Sequence, residues 1–150
     1  MQKLEILNKK EVKAILFLLE KQFSFSDELD YAFLQSEKGK IFIIKKDVAG
    51  IDFKKLRINT IGLYFASVND SEIRLTIEGS QLVGPYSKKN ILELNKEEAK
   101  QWMNGIDLEK EADLNGFVLI KHNDDFLGCG KIKEKKILNF VPKERRINSS

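Results

Sequence analysis

The sequence predicts an α+β protein in two parts: a small N-terminal α/β domain of helix and antiparallel strands, and a C-terminal, partly closed β-barrel with a flanking helix. Three observations support this fold class. Capping-box spacings precede helical apolar patterns, turn dipeptides separate short alternating segments, and a strand and helix pattern restarts after Gly84 and Pro85. We therefore divide the 150-residue chain into domains 1–86 and 87–150.

The N-terminal domain is expected to begin with an amphipathic helix from about Asn8 to Gln22. Asn8 and Glu11 have the spacing of a capping box, and apolar side chains then recur at three- and four-residue intervals. Alternating apolar and polar residues around turn dipeptides predict two hairpins after this helix. The four expected strands are 31–37, 40–47, 60–68 and 72–79, and residues 48–56 are expected to form a short helix.

The C-terminal domain is expected to contain one strand, one helix and three further strands. Residues 91–94 form the first strand, and Asn95 with Glu98 again has capping-box spacing. Gly105 suits the position just after the helix ends. A helix followed by short strands favours a small barrel with the helix packed at its side. The three further strands are expected at 116–122, 126–132 and 137–141.

Positive charge is concentrated at the C-terminal end of the chain. The formal net charge is only +3, but residues 131–150 carry seven basic and two acidic side chains, so the whole excess lies there. Clustered positive charge attracts phosphate, and alternate residues of a strand project from one face. If the barrel brings its last turn and the tail together, these residues form one patch. They are Lys131, Lys133, Lys135, Lys136, Lys143, Arg145 and Arg146.

No catalytic, cofactor-binding or metal-binding pattern is present, so we expect neither an enzyme nor a cofactor. Gly128 and Gly130 lack the spacing of a dinucleotide loop, and no phosphate-binding loop occurs. His122, the only histidine, is expected at an exposed strand end without a nucleophile elbow. Cys129, the only cysteine, can form neither an intramolecular disulfide nor a cysteine zinc cluster, and we interpret it as a small buried hydrophobe.

Two aromatic residues, Trp102 and Tyr86, are candidates for contact with a nucleobase. Trp102 lies on the expected inner face of the second helix, which favours a core position over a stacking surface. Tyr86 lies beside Lys88 and Lys89 at the junction of the domains, and because these lysines keep it near solvent it is the better candidate for contact. Lys88 and Lys89 are themselves expected to bind RNA. The N-terminus lacks an apolar segment of signal-peptide or membrane-spanning length, and the single cysteine fits a reducing compartment, so a cytoplasmic location without membrane contact is expected.

The strands GFVLIKH and FLGCGKI and the end ILNFVPKERR resemble the PUA domain, specifically the PUA-like tail of NOP/Sun-type RNA cytosine-5 methyltransferases. The segment RINTIGLYFASVNDSEIRLTIEGSQLVGPYSKKN, residues 57–90, is similar to part of the large-subunit pre-rRNA processing factors, which place a small α/β domain before a PUA domain. The residues that match the PUA pattern are Gly116, Phe117, Leu127, Gly128, Gly130, Lys131, Leu138, Asn139, Pro142, Lys143 and Arg146.

The resemblance implies RNA binding without catalysis, on structured rRNA or tRNA in ribosome biogenesis or RNA modification. It covers the accessory domain of the methyltransferases only, so an activity would come from a partner such as an RNA methyltransferase or pre-ribosomal proteins. It also implies that RNA lies against the turn from Asn104 to Glu109, including Gly105, and against the last strand with Asn139. An interaction adaptor that binds protein partners without touching RNA remains the alternative.

Overall fold

The computed structural model describes residues 4–46 and 62–147 and confirms the α+β class, with two five-stranded sheets. The strands are β1 Leu4–Ile6, β2 Tyr31–Ser36, β3 Lys40–Lys45, β4 Leu63–Asn69, β5 Glu72–Leu75, β6 Ile91–Glu93, β7 Leu108–Glu109, β8 Gly116–His122, β9 Asp125–Lys133 and β10 Lys136–Leu138. The helices are α1 Lys9–Phe23, α2 Ile77–Val83 and α3 Lys96–Met103, and short 3-10 turns occur at Gly84–Tyr86 and Lys143–Arg145.

The first sheet is an antiparallel meander in the order β1-β2-β3-β4-β5, and α1 packs against it. The capping box predicted for this helix is present: the Asn8 side chain accepts from the Glu11 backbone N–H at 2.9 Å, and the Glu11 carboxylate accepts from the Asn8 N–H at 3.0 Å. Ile15, Leu19 and Phe23 form the buried face of α1. The 3.6-residue period of these side chains places them on one side, which the sheet covers.

The strand expected at 72–79 is wrong in its second half, because β5 ends at Leu75 and α2 begins at Ile77. The Thr76 hydroxyl caps α2 by accepting from the Gly79 N–H at 3.0 Å. Thr76 and Ile77 are β-branched and continue the alternation of the strand, and Gly79 stands where a capping box has Glu or Gln. The sequence pattern therefore concealed α2. The helix expected at 48–56 lies outside the described residues.

The second sheet has the order β6-β8-β9-β10-β7, with β6 parallel to β8 and the remaining pairs antiparallel. It curls into a half-barrel around α3, and Trp102 on this helix is completely buried. The Trp102 Nε1–H donates to the Leu127 carbonyl of β9 at 2.9 Å, so the ring fixes the helix to the sheet. This confirms the core position expected for Trp102.

The last strand is shorter than expected, because β10 ends at Leu138 instead of continuing to Val141. The Asn139 side-chain oxygen accepts from the Val141 N–H at 2.8 Å, and the Asp107 carboxylate accepts from the Asn139 N–H at 2.8 Å. Side-chain acceptors therefore replace a neighbouring strand for these two amides, and the chain leaves the sheet. The short strand β7, which pairs with β10, was not predicted from the sequence.

One of the two hydrophobic clusters among the described residues contains buried side chains from both halves of the chain. Leu119, Phe126 and Cys129 from the second sheet belong to the same buried cluster as Phe23 of α1 and Phe65 of β4. The connecting segment is also attached to the end of α1, since the backbone N–H groups at positions 88 and 89 both donate to the Phe23 carbonyl, at 2.9 and 3.1 Å. The division at 86/87 stays a prediction, and the two sheets pack as one unit.

The capping box of α3 carries an additional ion pair. The Glu98 carboxylate accepts from the Asn95 N–H at 3.0 Å, and its two oxygens lie 2.9 and 3.0 Å from the Lys110 Nζ. Burial raises the pKa of Glu98, but the hydrogen bond from the Asn95 backbone and the hydrogen bond and charge of Lys110 together outweigh burial and lower it below 4.5. The ionised carboxylate therefore stabilises the folded state above pH 4.5.

We expect Glu98→Gln to lower the free energy of unfolding by about 1 kcal/mol at neutral pH, because glutamine keeps the cap but loses the ion pair. The lowered pKa makes this difference largest above the unfolded-state pKa of about 4.5 and diminishes it as the pH falls through the folded-state pKa. Urea denaturation at several pH values measures it. Glu11→Gln, in the capping box of α1, is the matched control and should change stability by no more than about 0.3 kcal/mol.

A difference for Glu98→Gln that does not depend on pH, or that equals the difference for Glu11→Gln, would contradict the role given to Lys110.

Candidate nucleic-acid interface

The cations at the turn between β9 and β10 lie among acidic residues. The Lys135 ammonium is 3.4 Å from the Glu111 carboxylate, with both side chains largely exposed. Lys136 is the register partner of Glu109 on β7 and of Lys133 on β9. The field of Lys135 and Lys136 is therefore reduced by neighbouring carboxylates, although an exposed ion pair of this kind is weak and is screened by salt.

Lys131 lies two residues before Lys133 on β9, farther from the turn and on the same face of the strand. Its ammonium group lies 5.1 Å from the centre of the Phe117 ring, and Phe117 is its register partner on β8. Within residues 4–46 and 62–147, no carboxylate oxygen lies within 4 Å of the ammonium groups of Lys131, Lys133 or Lys143. These three cations are therefore available to an anionic partner.

Arg145 and Arg146 in the C-terminal tail are fixed by contacts within the protein. The Arg145 guanidinium forms an ion pair with the Glu78 carboxylate of α2. The Arg146 side chain packs over Gly105, where a β-carbon would lie 2.1 Å from the Arg146 Nε. Gly105 also has a φ of +83°, so its backbone conformation favours glycine, whereas the flexible Arg146 side chain over it could move aside for a β-carbon.

The contact between Arg146 and Gly105 changes the expectation for RNA at the end of α3. The resemblance implied that RNA approaches the backbone of Gly105, but the Arg146 guanidinium occupies that space. The Arg146 Nε is buried and has no hydrogen-bond partner within the described part of the chain. Asn104 is the last capping residue of α3 and donates its backbone N–H to the Lys100 and Gln101 carbonyls. The Arg146 side chain therefore covers the backbone of Gly105 at the end of α3.

Asn139 holds the loop after β10 against α3. Its side-chain amide donates to the Trp102 carbonyl at 2.8 Å and to the Ile106 carbonyl at 3.1 Å. Its side-chain oxygen accepts from Val141, so both ends of the amide have partners inside the protein. Asn139 therefore fixes this loop against α3, and the direct contact with RNA that the resemblance implied stays a prediction.

Lys88 and Lys89 are exposed at the junction of the two halves, where the sequence placed them, and Tyr86 beside them is 53% exposed. The Lys89 ammonium donates to the Lys21 carbonyl at the end of α1, at 3.3 Å. The backbone of both lysines is fixed by Phe23. These charges are presented on a rigid segment and are separated along the chain from the C-terminal cations.

Two neighbouring aromatic rings with a cation at each end form a row across the boundary between the two sheets. The Arg74 guanidinium carbon lies 4.4 Å from the centre of the Phe140 ring, and the Phe140 and Phe117 ring centres are 6.2 Å apart. Lys131 over Phe117 completes the row. We call these four residues the cation–aromatic row. No pattern in the sequence connects Arg74 with Phe140, because only the packing of β5 against the C-terminal half brings them together.

Cys129 and His122 both make contacts inside the fold. Cys129 is 3% exposed, and burial raises the pKa of its thiol to about 12, which confirms a small buried hydrophobe. His122 lies at the end of β8 and is half-buried, where an exposed position was expected. Its Nδ1 lies 2.9 Å from the Leu94 carbonyl. Among residues 4–46 and 62–147, no three metal-ligating side chains form a cluster.

The C-terminal half matches a known family. Residues 89–147 match the family described as the methyltransferase RsmF PUA domain. A ribosomal RNA small subunit methyltransferase F from Aeromonas hydrophila is 32% identical over 91 residues, which cover 60% of this chain and 19% of the relative. Proteins of the same name from Vibrio campbellii and Vibrio cholerae are 28% identical over 96 residues and 26% identical over 91 residues, again over 60% of this chain.

The chain spans about a fifth of the length of these relatives. The aligned segments are longer than the family match, so the similarity extends beyond residues 89–147. The similarity of residues 57–90 to pre-rRNA processing factors stays a prediction. The matched residues form the curled sheet with its packed helix, and they include the motif residues from Gly116 to Arg146. Residues 89–147 therefore form a PUA-like domain of the kind that Sun-type rRNA methyltransferases carry.

Proposed function

We propose that this chain is a non-enzymatic RNA-binding protein of the PUA type, acting on structured rRNA or tRNA in ribosome biogenesis or RNA modification. The observation that carries this proposal is the PUA-like domain at residues 89–147, which is similar to part of proteins named as rRNA methyltransferases. The aligned part is only 19% of such a relative. The part shared with those enzymes is thus the domain that would hold RNA, and catalysis would be supplied by a partner.

Three lysines on two structural elements carry the proposed contact with phosphates. Lys131 and Lys133 project from one face of β9, and Lys143 begins the 3-10 turn after β10. Point charges on a strand at alternate positions are spaced to follow a phosphate backbone. Lys135, Lys136 and Arg145 add positive charge beyond these three lysines, and the carboxylates beside them limit that gain. Lys88 and Lys89 are proposed as further RNA contacts at the junction of the two halves.

The proposed partners are rRNA or tRNA together with an RNA methyltransferase or pre-ribosomal proteins, and the proposed location is the cytoplasm. Within residues 4–46 and 62–147, every helix is too short or too polar to span a membrane.

An adaptor that binds protein alone is the second candidate. Exposed apolar side chains favour it, since Ile106 after α3 is 49% exposed and Ile147 in the tail is 63% exposed. The ion pairs of Lys135 and Arg145 favour it as well, because they offset part of the positive charge that RNA would require. The two candidate functions predict different results for the purified protein mixed with RNA: the first predicts binding and the second predicts none.

Ultraviolet crosslinking to total rRNA and tRNA, with mass spectrometry of the crosslinked peptides, tests the proposal. We expect crosslinks in peptides that contain Lys131 to Lys143, and no transfer of label when the protein and RNA are incubated with a radioactive methyl donor. The absence of crosslinks in the C-terminal half would favour the adaptor. Methylated RNA would contradict the non-enzymatic assignment.

A further inference from the structure

A cavity of about 350 Å³ lies between the two halves of the molecule. Its walls come from β4, β5 and α2 on one side and from β9, α3 and the segment after β10 on the other. This volume is at the lower end of the range of about 300–1,000 Å³ that small-molecule pockets occupy. The cavity therefore accommodates a group of modest size, and its lining combines aliphatic side chains with a few charged ones.

The charged groups around the cavity balance one another. Arg74 and Arg145 face Glu78 and Glu144, and the guanidinium of Arg145 is paired with the Glu78 carboxylate. A phosphate placed here would gain two cations but would also meet two carboxylates, so the lining does not select an anion. A neutral group with hydrogen-bonding edges suits this set, because both donors and acceptors are offered.

Aromatic and planar groups lie at the same place. Phe140 lines the cavity, and the guanidinium carbon of Arg74, another lining residue, lies 4.4 Å from the centre of the Phe140 ring. Unpaired bases in protein–RNA complexes stack on aromatic side chains and on guanidinium planes. The cavity thus offers a stacking surface for a flat, neutral heterocycle.

The rest of the cation–aromatic row connects the cavity with the proposed phosphate contacts. Phe117 lies 6.2 Å from Phe140, and the Lys131 ammonium lies over Phe117. If the base of a nucleotide enters the cavity, the phosphates next to it would lie near Lys131. They would then be outside the cavity, where arginine and glutamate side chains balance one another. Grooves that bind single strands combine stacking rings and cations in this way.

We propose that the cavity between the two halves holds one unpaired nucleobase of the bound RNA, packed against the Arg74–Phe140 cation–π pair. This inference rests on the proposed function and adds a position for a single base to it. The phosphates beside that base are bound by Lys131 and its neighbours on β9. The subsite uses residues of both halves, so it is complete only when the two sheets are packed together.

The test compares two synthetic RNA hairpins, one with a single bulged adenosine and one with an abasic linker at the same position, so that the phosphates are unchanged. We expect the wild-type full chain to bind the adenosine hairpin about tenfold more tightly in filter binding. Phe140→Leu and Arg74→Gln should each abolish this preference, and Phe140→Leu should leave the salt dependence of binding unchanged. Phe17→Leu, at a 62% exposed ring on α1, is the control and should keep the preference.

Equal binding of the two hairpins by the wild-type protein would overturn the base subsite while leaving RNA binding intact. Failure of the wild-type protein to bind either hairpin, or any other structured RNA, would overturn the proposed function and the subsite with it. The first comparison uses the unaltered protein, so it decides even if a substitution impairs folding. Retention of the preference in folded Phe140→Leu and Arg74→Gln would also overturn the subsite.

Discussion

Replacing Trp102 by alanine is expected to lower the free energy of unfolding by about 3–5 kcal/mol. The ring is completely buried between α3 and the second sheet, and its Nε1–H satisfies the Leu127 carbonyl. Gly130 leaves the space that the ring fills, since a β-carbon there would lie 2.8 Å from the edge of the indole. Alanine would leave a cavity beside this glycine and an unpaired carbonyl, and both reduce stability.

Urea denaturation followed by far-ultraviolet circular dichroism measures this loss, because Trp102 is the only tryptophan and fluorescence is lost with it. Met103→Ala, at the next position of α3, is the control and should cost about 1 kcal/mol, because Met103 is only half-buried. A loss for Trp102→Ala no larger than that for Met103→Ala would contradict the central role of the indole. The loss of about 3–5 kcal/mol expected for Trp102→Ala is a large part of the 5–15 kcal/mol that typically stabilises a domain.

Reversing three charges at once, Lys131→Glu, Lys133→Glu and Lys143→Glu, is expected to weaken RNA binding by at least about a hundredfold at physiological salt. Each lysine contact with a phosphate contributes roughly 1 kcal/mol or more, and each new carboxylate repels the same phosphate. The ammonium groups of these lysines have no acidic partner among the described residues, so the folded structure should tolerate the change. Arg146 is left unaltered because it packs on Gly105.

Filter binding of one structured rRNA fragment, with the thermal unfolding of each variant as a check, measures this effect. The triple reversal of Lys9, Lys10 and Lys13 on the exposed face of α1 changes the net charge equally and is the matched control. We expect it to weaken binding by no more than about fivefold through the general field of the protein. Equal losses in the two triple variants would show that net charge alone governs binding, against a defined surface.

The parts of the fold that were predicted correctly, the capped helices and the turns, depend on residues that lie close together in the sequence. Both capping boxes, at Asn8 and at Asn95, involve residues three positions apart, so spacing alone identifies them. Turn positions such as Gly39 and Asn123 have positive φ angles, which glycine and asparagine tolerate, so composition marks them as well. Helix α2 was missed because Thr76, which caps it, also continues a strand pattern.

The remainder depends on contacts between distant parts of the chain, which no local pattern encodes. The parallel pairing of β6 with β8 and the position of β7 beside β10 follow from how the sheet closes around Trp102. The cluster of positive charge at the C-terminus was visible in the sequence. The sequence did not show that Arg145 pairs with Glu78, that Lys135 pairs with Glu111, or that Lys131 lies over an aromatic ring. The cavity was equally invisible, since Arg74 and Phe140 come from different halves.

The measurement that tests the central claim most directly is the dependence of RNA affinity on salt for the wild-type protein. If the C-terminal cations and their neighbours contact about five phosphates, the logarithm of the binding constant should fall against the logarithm of salt with a slope of roughly −3.5 to −4.5. The triple variant on β9 and the tail should lower the magnitude of this slope by about 2 to 3. A flat response of the wild-type protein would contradict a phosphate-binding surface.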